Sequence, residues 1–320
     1  MEEEKKLVTI LVPAYNEQEV LNMLYDRLKK LMDENTKYDF EILIVNDGSK
    51  DNSLKIMQEL REKDKRINYL SLSRNFGKET AMIAGLDYSK GDAVIIIDAD
   101  LQDDVNAIPK MVEKYYEGYD VVYGVRNSRK TDTFFKRRTA LAFYSMMEKM
   151  GVNLVPDSAD YRLLSKRATE GLLAFKERNL FLRGMVPLVG YKSTKVYYAR
   201  KERFAGESKY PLSKMLHFAL DGITSFSIAP IHLILYLGLL TVAVSIICMI
   251  YVLVEKCMGH VVSGWSSLMI SIWLLGGIQL ISISVIGEYI GKIFSEVKHR
   301  PRYTIEEENY TDKFNHRKNK

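Results

Sequence analysis

A chain of 320 residues can hold one large domain or two modest ones, and 47% hydrophobic with 27% charged residues is an ordinary soluble average. That average hides an asymmetry, because nearly all charge lies before about residue 221 and after Gly287, with an almost charge-free segment between. The net charge of +5 is mild and its basic residues cluster beside the apolar segment, so membrane lipid phosphate is the expected partner and nucleic acid is not. Cys248 and Cys257 lie in and beside the apolar segment and form neither a disulfide framework nor a metal-thiolate site. The opening MEEEKK has no apolar stretch, so no signal peptide is expected and the first domain is expected in the cytosol.

Leu7 to Pro13 is a compact, β-branched apolar run and reads as a first strand. Tyr15-Asn16-Glu17 follows, then a helix with Val20, Leu21, Leu24, Leu28 and Leu31 on one face. Phe40 to Val45 is a second strand ending in Asn46-Asp47-Gly48-Ser49. An acidic residue at that place can bind a ribose or a base edge, while Asp47 and Ser49 could equally cap a helix beginning near Asp51. Ile67 to Leu72 is a third strand. Ser73 to Lys78 then leads into a helix, placing Arg74 and Lys78 where a phosphate could meet a helix N-terminus.

Gly91 to Asp104 is the centre of the pattern. The apolar run Ala93 to Ile97 stops at Asp98-Ala99-Asp100, with Gln102, Asp103 and Asp104 just beyond. Ligands of open α/β sheets bind outside the carboxyl ends of the strands. Two carboxylates placed there repel unless a cation lies between them, and oxygen ligands suit Mg²⁺ or Mn²⁺. An acidic turn that only caps the next helix is the simpler alternative. A helix over 106–116 and a strand over 120–124 complete an alternation that predicts a doubly wound, mostly parallel α/β sheet. Neither G-x-G-x-x-G after the first strand nor G-x-x-x-x-G-K-[ST] occurs, which disfavours dinucleotide redox chemistry and P-loop hydrolysis.

Arg126 to Lys130 and Lys136-Arg137-Arg138 form a basic cluster, either a solvated loop or a holder of anionic groups. An amphipathic helix is expected over 133–150, and Asp157 to Arg162 is expected to precede another helix. Residues 200–210 read as a basic, glycine-broken loop and 211–226 as an interfacial helix lying on a bilayer. Ile228 to Val254 and Val261 to Gly287 each run without a formal charge for roughly 27 residues, long enough to span a membrane. Lys209 and Lys214 flank one side, and Lys292, Lys298, Arg300 and Arg302 the other, so both ends are expected in the cytosol. Tyr251 and Trp265 would anchor the outer interface. The tail 306–320 is charged and expected to fray.

Taken together, VPAYNE (12–17), NDGSKDNS (46–53), SRNFGKE (73–79), DADLQD (98–103), ADYRLLS (159–165), AGESKY (205–210), DGITSFS (221–227) and IGEYIGKI (286–293) occur in one order. Over roughly residues 7 to 303, this order resembles the family-2 glycosyltransferases that load sugars onto polyprenyl phosphates. The bactoprenol glucosyltransferases resemble it most, and the dolichol-phosphate mannose synthases more distantly. The resemblance implies a nucleotide-sugar-binding, GT-A-like sheet domain over 1–200 and a juxtamembrane loop with interfacial helix over 201–227. A two-helix membrane hairpin over 228–290 and a basic cytosolic tail over 291–320 would follow, making a multi-pass inner or plasma membrane protein.

It further implies that Pro13, Tyr15, Glu17 and Asp47 line the nucleotide pocket with Lys78 nearby. Asp98 would contact the sugar nucleotide, while Asp100 and Gln102 hold the divalent metal, Mg²⁺ or Mn²⁺. Arg126 would meet a phosphate and Asp160 would lie near the reacting centre. Arg137, Arg138, Arg203 and Lys209 would serve the lipid phosphate. Asn46 departs from the family, where many relatives carry a second Asp.

The implied reaction is inverting transfer of a hexose from a nucleotide sugar to undecaprenyl phosphate. UDP-glucose is the first expectation, then UDP-N-acetylglucosamine, then GDP-mannose. Asp160 is expected to orient groups rather than take a proton, because a phosphate acceptor is already anionic; a base role is the alternative. A processive polysaccharide synthase is a rival, but its Q-x-x-R-W motif is missing. A non-catalytic partner of a lipid-sugar flipping system is another. Gly276, Gly277, Ser282 and Ser284 could pack helices within one chain or in a homo-oligomer.

Overall fold

The structure is a computed structural model and describes residues 5–127, 155, 158–178, 180–199, 229–258 and 264–310. The expected helices over 133–150 and 211–226, the loop at 200–210, and residues 311–320 lie outside the described residues.

Strands and helices alternate as the sequence predicts through β1 (Leu7–Ala14), α1 (Leu21–Glu34), β2 (Asp39–Asn46), α2 (Ser53–Lys63), β3 (Ile67–Leu72), α3 (Lys78–Tyr88), β4 (Ala93–Ile96), α4 (Ile108–Tyr116) and β5 (Val121–Arg126). β4 is buried along its whole length, and β1 and β2 along nearly all of theirs, which is why they read as continuous apolar runs without alternation. α1 turns Leu21, Leu24, Tyr25, Leu28 and Leu31 onto the sheet. Each such fully buried aliphatic side chain contributes about 1.5–3 kcal/mol.

Beyond β5 the sequence reading needs correction. Residues 158–165 form a strand, β6 (Ser158–Ser165), and only then comes α5 (Lys166–Ala174). α6 (Leu182–Leu188) and β7 (Ser193–Tyr198) follow. With β8 (Ile305–Glu308) as its last strand, the eight-stranded sheet has the order β7-β5-β6-β4-β1-β2-β3-β8. It is mixed: β6 runs antiparallel between β4 and β5, and β8 antiparallel to β3. A strand that buries Asp160 and Arg162 shows no apolar alternation, and this hid β6.

The second correction concerns the tail. Residues 305–308 pair with β3 instead of fraying, and Tyr310 is buried. The hydroxyl of Tyr303 donates to Asp87 and Arg302 to the Phe175 carbonyl, fastening this return segment to the sheet unit.

The chain divides into two compact units, with the described residues up to 199 and from 300 onward in the first. The second contains α7 (Ala229–Cys257) and α8 (Trp265–Val297). Within them Pro230–Cys248 and Leu274–Val297 are long and apolar enough to cross a membrane, with mean hydropathies of 2.4 and 1.5. α8 continues to Val297, past residue 290 where the hairpin was expected to end.

Candidate active site

The carboxyl edge of the parallel strands gathers the site. β1 ends before Tyr15, β2 before Asp47, β4 before Asp98, and β5 ends at Arg126. Because β6 is antiparallel, its beginning lies at this same edge. Ala93 pairs with Ser165 and Ile96 with Arg162, and the same register continued two residues further sets Asp98 opposite Asp160.

Lys78, the first residue of α3, enters between them. Its Nζ donates to Asp98 Oδ2 at 2.8 Å and to Asp160 Oδ2 at 2.7 Å. Asp160 is buried and takes further donors: Arg183 from α6 through Nε at 2.9 Å and Nη2 at 3.3 Å, and the buried Arg162 through Nη2 at 3.4 Å. Burial alone would raise the Asp160 pKa, but Lys78, Arg183 and Arg162 hold it well below the usual carboxylate range. Burial works against the Lys78 charge in turn, and Asp98 and Asp160 outweigh it, carrying Lys78 above its ordinary value. These three cations favour the ionised form of Asp160.

The supports of this cluster run in adjacent pairs. Glu79, next to Lys78, accepts from the Leu182 backbone N–H at 3.2 Å, and Leu182 precedes Arg183. Arg162 Nη1 donates to the Leu182 carbonyl at 3.3 Å. Burial, then the Asp160 charge, push the Glu79 pKa up to about 7.

Asp98 Oδ1 is buried and receives no donor in hydrogen-bonding geometry, although Lys78 Nζ lies 2.7 Å away. The following turn is strained: Leu101, a buried non-glycine residue, has φ +61°. Such backbone costs on the order of 1 kcal/mol and accumulates at functional sites. It sits between Asp100 and Gln102, whose N–H donates back to Asp100 Oδ1 at 3.1 Å. Asp103 is buried, and burial followed by the Asp98 charge raise its pKa to about 6. Tyr198 of β7 donates its hydroxyl to Asp103 and accepts from Arg126 Nε at 3.4 Å.

Among the described residues no three His, Cys, Asp or Glu side chains are grouped to hold a metal ion unaided. The side-chain oxygens of Asp100 and Gln102 are nonetheless hard donors, so the turn fits a hard divalent cation whose remaining ligands would come from a bound substrate.

On the β1–β2 side, Tyr15 is exposed and Pro13 is buried within β1, paired with Val45. Glu17 donates its N–H to Ser53 Oγ at 2.9 Å. Asp47 accepts from the N–H groups of Phe76 and Gly77 at 2.7 and 2.9 Å, so it braces the approach to α3 and does not cap α2. Gly48 has φ +62°, and a Cβ there would collide with the Arg74 backbone. Asn46 donates to Ser71 Oγ at 2.9 Å and accepts from the Ser49 N–H at 3.0 Å, a double role a carboxylate could not fill. The Arg74 guanidinium stacks 3.9 Å from the Phe76 ring centroid.

The structure thus brings together Lys78, Asp98 and Asp160, and sets Arg126 beside the turn of Asp100 and Gln102 through Asp103. Arg137, Arg138, Arg203 and Lys209 lie outside the described residues. Sequence reasoning missed Arg183 and Tyr198, which only the contacts of α6 and β7 reveal, and gave no role to Glu79 and Asp103, although both stood in quoted motifs.

A mixed α/β sheet whose carboxyl edge gathers carboxylates and cations is the arrangement in which such folds bind ligands. The family model described as Glycosyl transferase family 2 matches residues 9–173, and the chain belongs to that family. It is similar to the uncharacterized glycosyltransferase YkoT of Bacillus subtilis, 49% identical over 98% of this chain and 95% of that protein. It is also similar to the bactoprenol glucosyl transferase of Shigella phage SfV, 42% identical over 94% and 98%. Among solved structures, glucosyl-3-phosphoglycerate synthase from Mycobacterium tuberculosis is 18% identical with a TM-score of 0.46, over 68% of this chain and 76% of that one, too distant to bear on the site. The chain is a family-2 glycosyltransferase.

Proposed function

We propose that the chain transfers a hexose, with inversion, from a nucleotide sugar to a membrane polyprenyl phosphate. The observation that carries this reading is the Asp98–Lys78–Asp160 bridge at the sheet's carboxyl edge. Likeness to a bactoprenol glucosyl transferase along almost the whole chain supports it. Two apolar helices supply a means of meeting an acceptor confined to a membrane. The basic flanks of those helices favour a cytosolic active site, with both termini on the same side.

In this reading the nucleoside end of the donor lies towards Tyr15, Glu17 and Asp47, and its diphosphate towards Asp98, Asp100 and Arg126. A phosphate oxygen of the acceptor attacks the anomeric carbon while the bond from that carbon to the β-phosphate oxygen breaks, its electron pair leaving with the nucleoside diphosphate. Mg²⁺ or Mn²⁺ on Asp100 and Gln102 would offset charge on the departing diphosphate. Arg126 supplies a fixed positive charge to the same end. Lys78 neutralises Asp98 and Asp160, which would otherwise repel both anionic substrates. Asp160, pinned as an anion, orients Lys78 and Arg183 and takes no proton, consistent with an acceptor that needs none removed.

UDP-glucose is the proposed donor, on the strength of the glucosyl transferase relatives. Calorimetric titration of the full chain in detergent with UDP and GDP tests it. Tighter UDP binding, weakened by EDTA, together with an α-linked donor yielding a β-linked lipid phosphate sugar by NMR, is the expected result. GDP preferred over UDP, or a retained anomeric configuration, contradicts it.

A further inference from the structure

We propose that Arg183 is a substrate-contacting residue that, with Lys78, grips the phosphate of the lipid acceptor; this rests on the transfer reaction proposed above. Lys78 Nζ and Arg183 Nη2 approach the same oxygen, Asp160 Oδ2, at 2.7 and 3.3 Å. Asp160 thus spaces two cations apart. Each keeps donors for a second anion: Lys78 uses two of its three N–H bonds on carboxylates, and Arg183 meets Asp160 through Nε and Nη2.

Neither side chain is sealed off. Lys78 is 40% and Arg183 39% exposed, while Asp160 beneath them is 5% exposed. The position of Arg183 is also set with care from behind. The Leu182 N–H is held by Glu79 and its carbonyl by Arg162, so the backbone just before Arg183 is fixed from two elements.

The reaction brings two phosphate-bearing substrates together. In that reading the donor diphosphate is served by Arg126 and by the cation that Asp100 and Gln102 would hold, so the spare donors of Lys78 and Arg183 around Asp160 are left for the attacking phosphate. A planar guanidinium presents paired donors to two phosphate oxygens, and its charge survives at every working pH.

The test uses the full chain in detergent, titrated separately with farnesyl phosphate, farnesol and UDP. The wild-type chain is expected to prefer farnesyl phosphate over farnesol. Arg183→Gln is expected to weaken farnesyl phosphate binding by about tenfold or more, the worth of a charge-assisted contact, with UDP affinity moving less than about twofold. Arg183→Lys keeps the cation without the paired contact to Asp160 and should fall between them; it carries the comparison if Arg183→Gln lowers the melting temperature. Arg183→Gln binding farnesyl phosphate like wild type, or losing UDP equally, overturns the assignment alone. A wild-type chain indifferent to the phosphate overturns the lipid-phosphate reading and the assignment with it.

Discussion

Asp98 and Asp160 stand opposite each other at the open end of the β4–β6 pair and share one cation, the Nζ of Lys78, at 2.8 and 2.7 Å. One carboxylate arrives at the end of a parallel strand and the other at the start of an antiparallel one. The bridge therefore exists only because β6 runs against its neighbours.

Asp160→Asn removes the anion shared by Lys78, Arg183 and buried Arg162. Breaking a buried pair by deleting one partner costs about 3–5 kcal/mol, and some of that should appear as a lower melting temperature. Transfer should fall by roughly a hundredfold, as when a preorganised charge is lost. The Asp160 pKa is held below the usual range, so its stabilisation is fully present above the ordinary carboxylate value and is lost only as pH falls through the lower, folded one. The acid limb of kcat/KM should therefore keep its shape in the variant. A limb that disappears in Asp160→Asn would make Asp160 a base after all.

Glu79→Gln should stabilise the chain at pH 8 and do little at pH 5. The folded Glu79 pKa is raised to about 7 from an ordinary 4.5, by burial and by Asp160. Between those values the folded state holds a proton that the unfolded state has released, so stability rises as pH falls, and above about 7 an ionised Glu79 is a burden. Gln keeps an oxygen for the Leu182 N–H without that charge. Thermal melts at both pH values check this, and a difference independent of pH contradicts it.

Asn46→Asp should destabilise this chain by about 1–3 kcal/mol at pH 8. It removes the donor to Ser71 and buries a second carboxylate beside Asp47. The loss should shrink as pH falls and the new carboxyl is protonated. Equal melting temperatures at pH 8 would show that Ser71 finds another partner.

The segment following α8 should matter for stability. Tyr310 donates to Glu41, accepts from the Lys90 N–H at 2.8 Å, and its carbonyl accepts from Lys90 Nζ at 2.6 Å. Tyr310→Ala should cost about 3–5 kcal/mol, as for large-to-small changes at other buried aromatic sites. Limited proteolysis would then open the chain near residues 300–310. Unchanged cleavage would mean that β8 holds without its tyrosine.

Much of the fold was legible because β1, β2 and β4 bury apolar runs, and α1, α2 and α4 each show one apolar face. β6 was not, since Asp160 and Arg162 are placed for the site at the expense of alternation. β8 was hidden for a related reason: Ile305-Glu306-Glu307-Glu308 reads as a charged tail and is a strand only because the edge of β3 accepts it. Motif spacing brought Lys78, Asp98 and Asp160 forward, but not that one amine joins two carboxylates. Arg183 gave no local signal, because its meaning lies in a residue 23 positions away.

The most direct measurement mixes the full chain in detergent with undecaprenyl phosphate, Mn²⁺ and separately labelled UDP-glucose, UDP-N-acetylglucosamine and GDP-mannose. Label should enter the organic phase from UDP-glucose, and should no longer do so with EDTA or with Asp100→Ala. Label accumulating in a water-soluble polymer, or no transfer from any donor by a chain that still binds nucleotide, would contradict hexose transfer to a lipid phosphate as the reaction of this site.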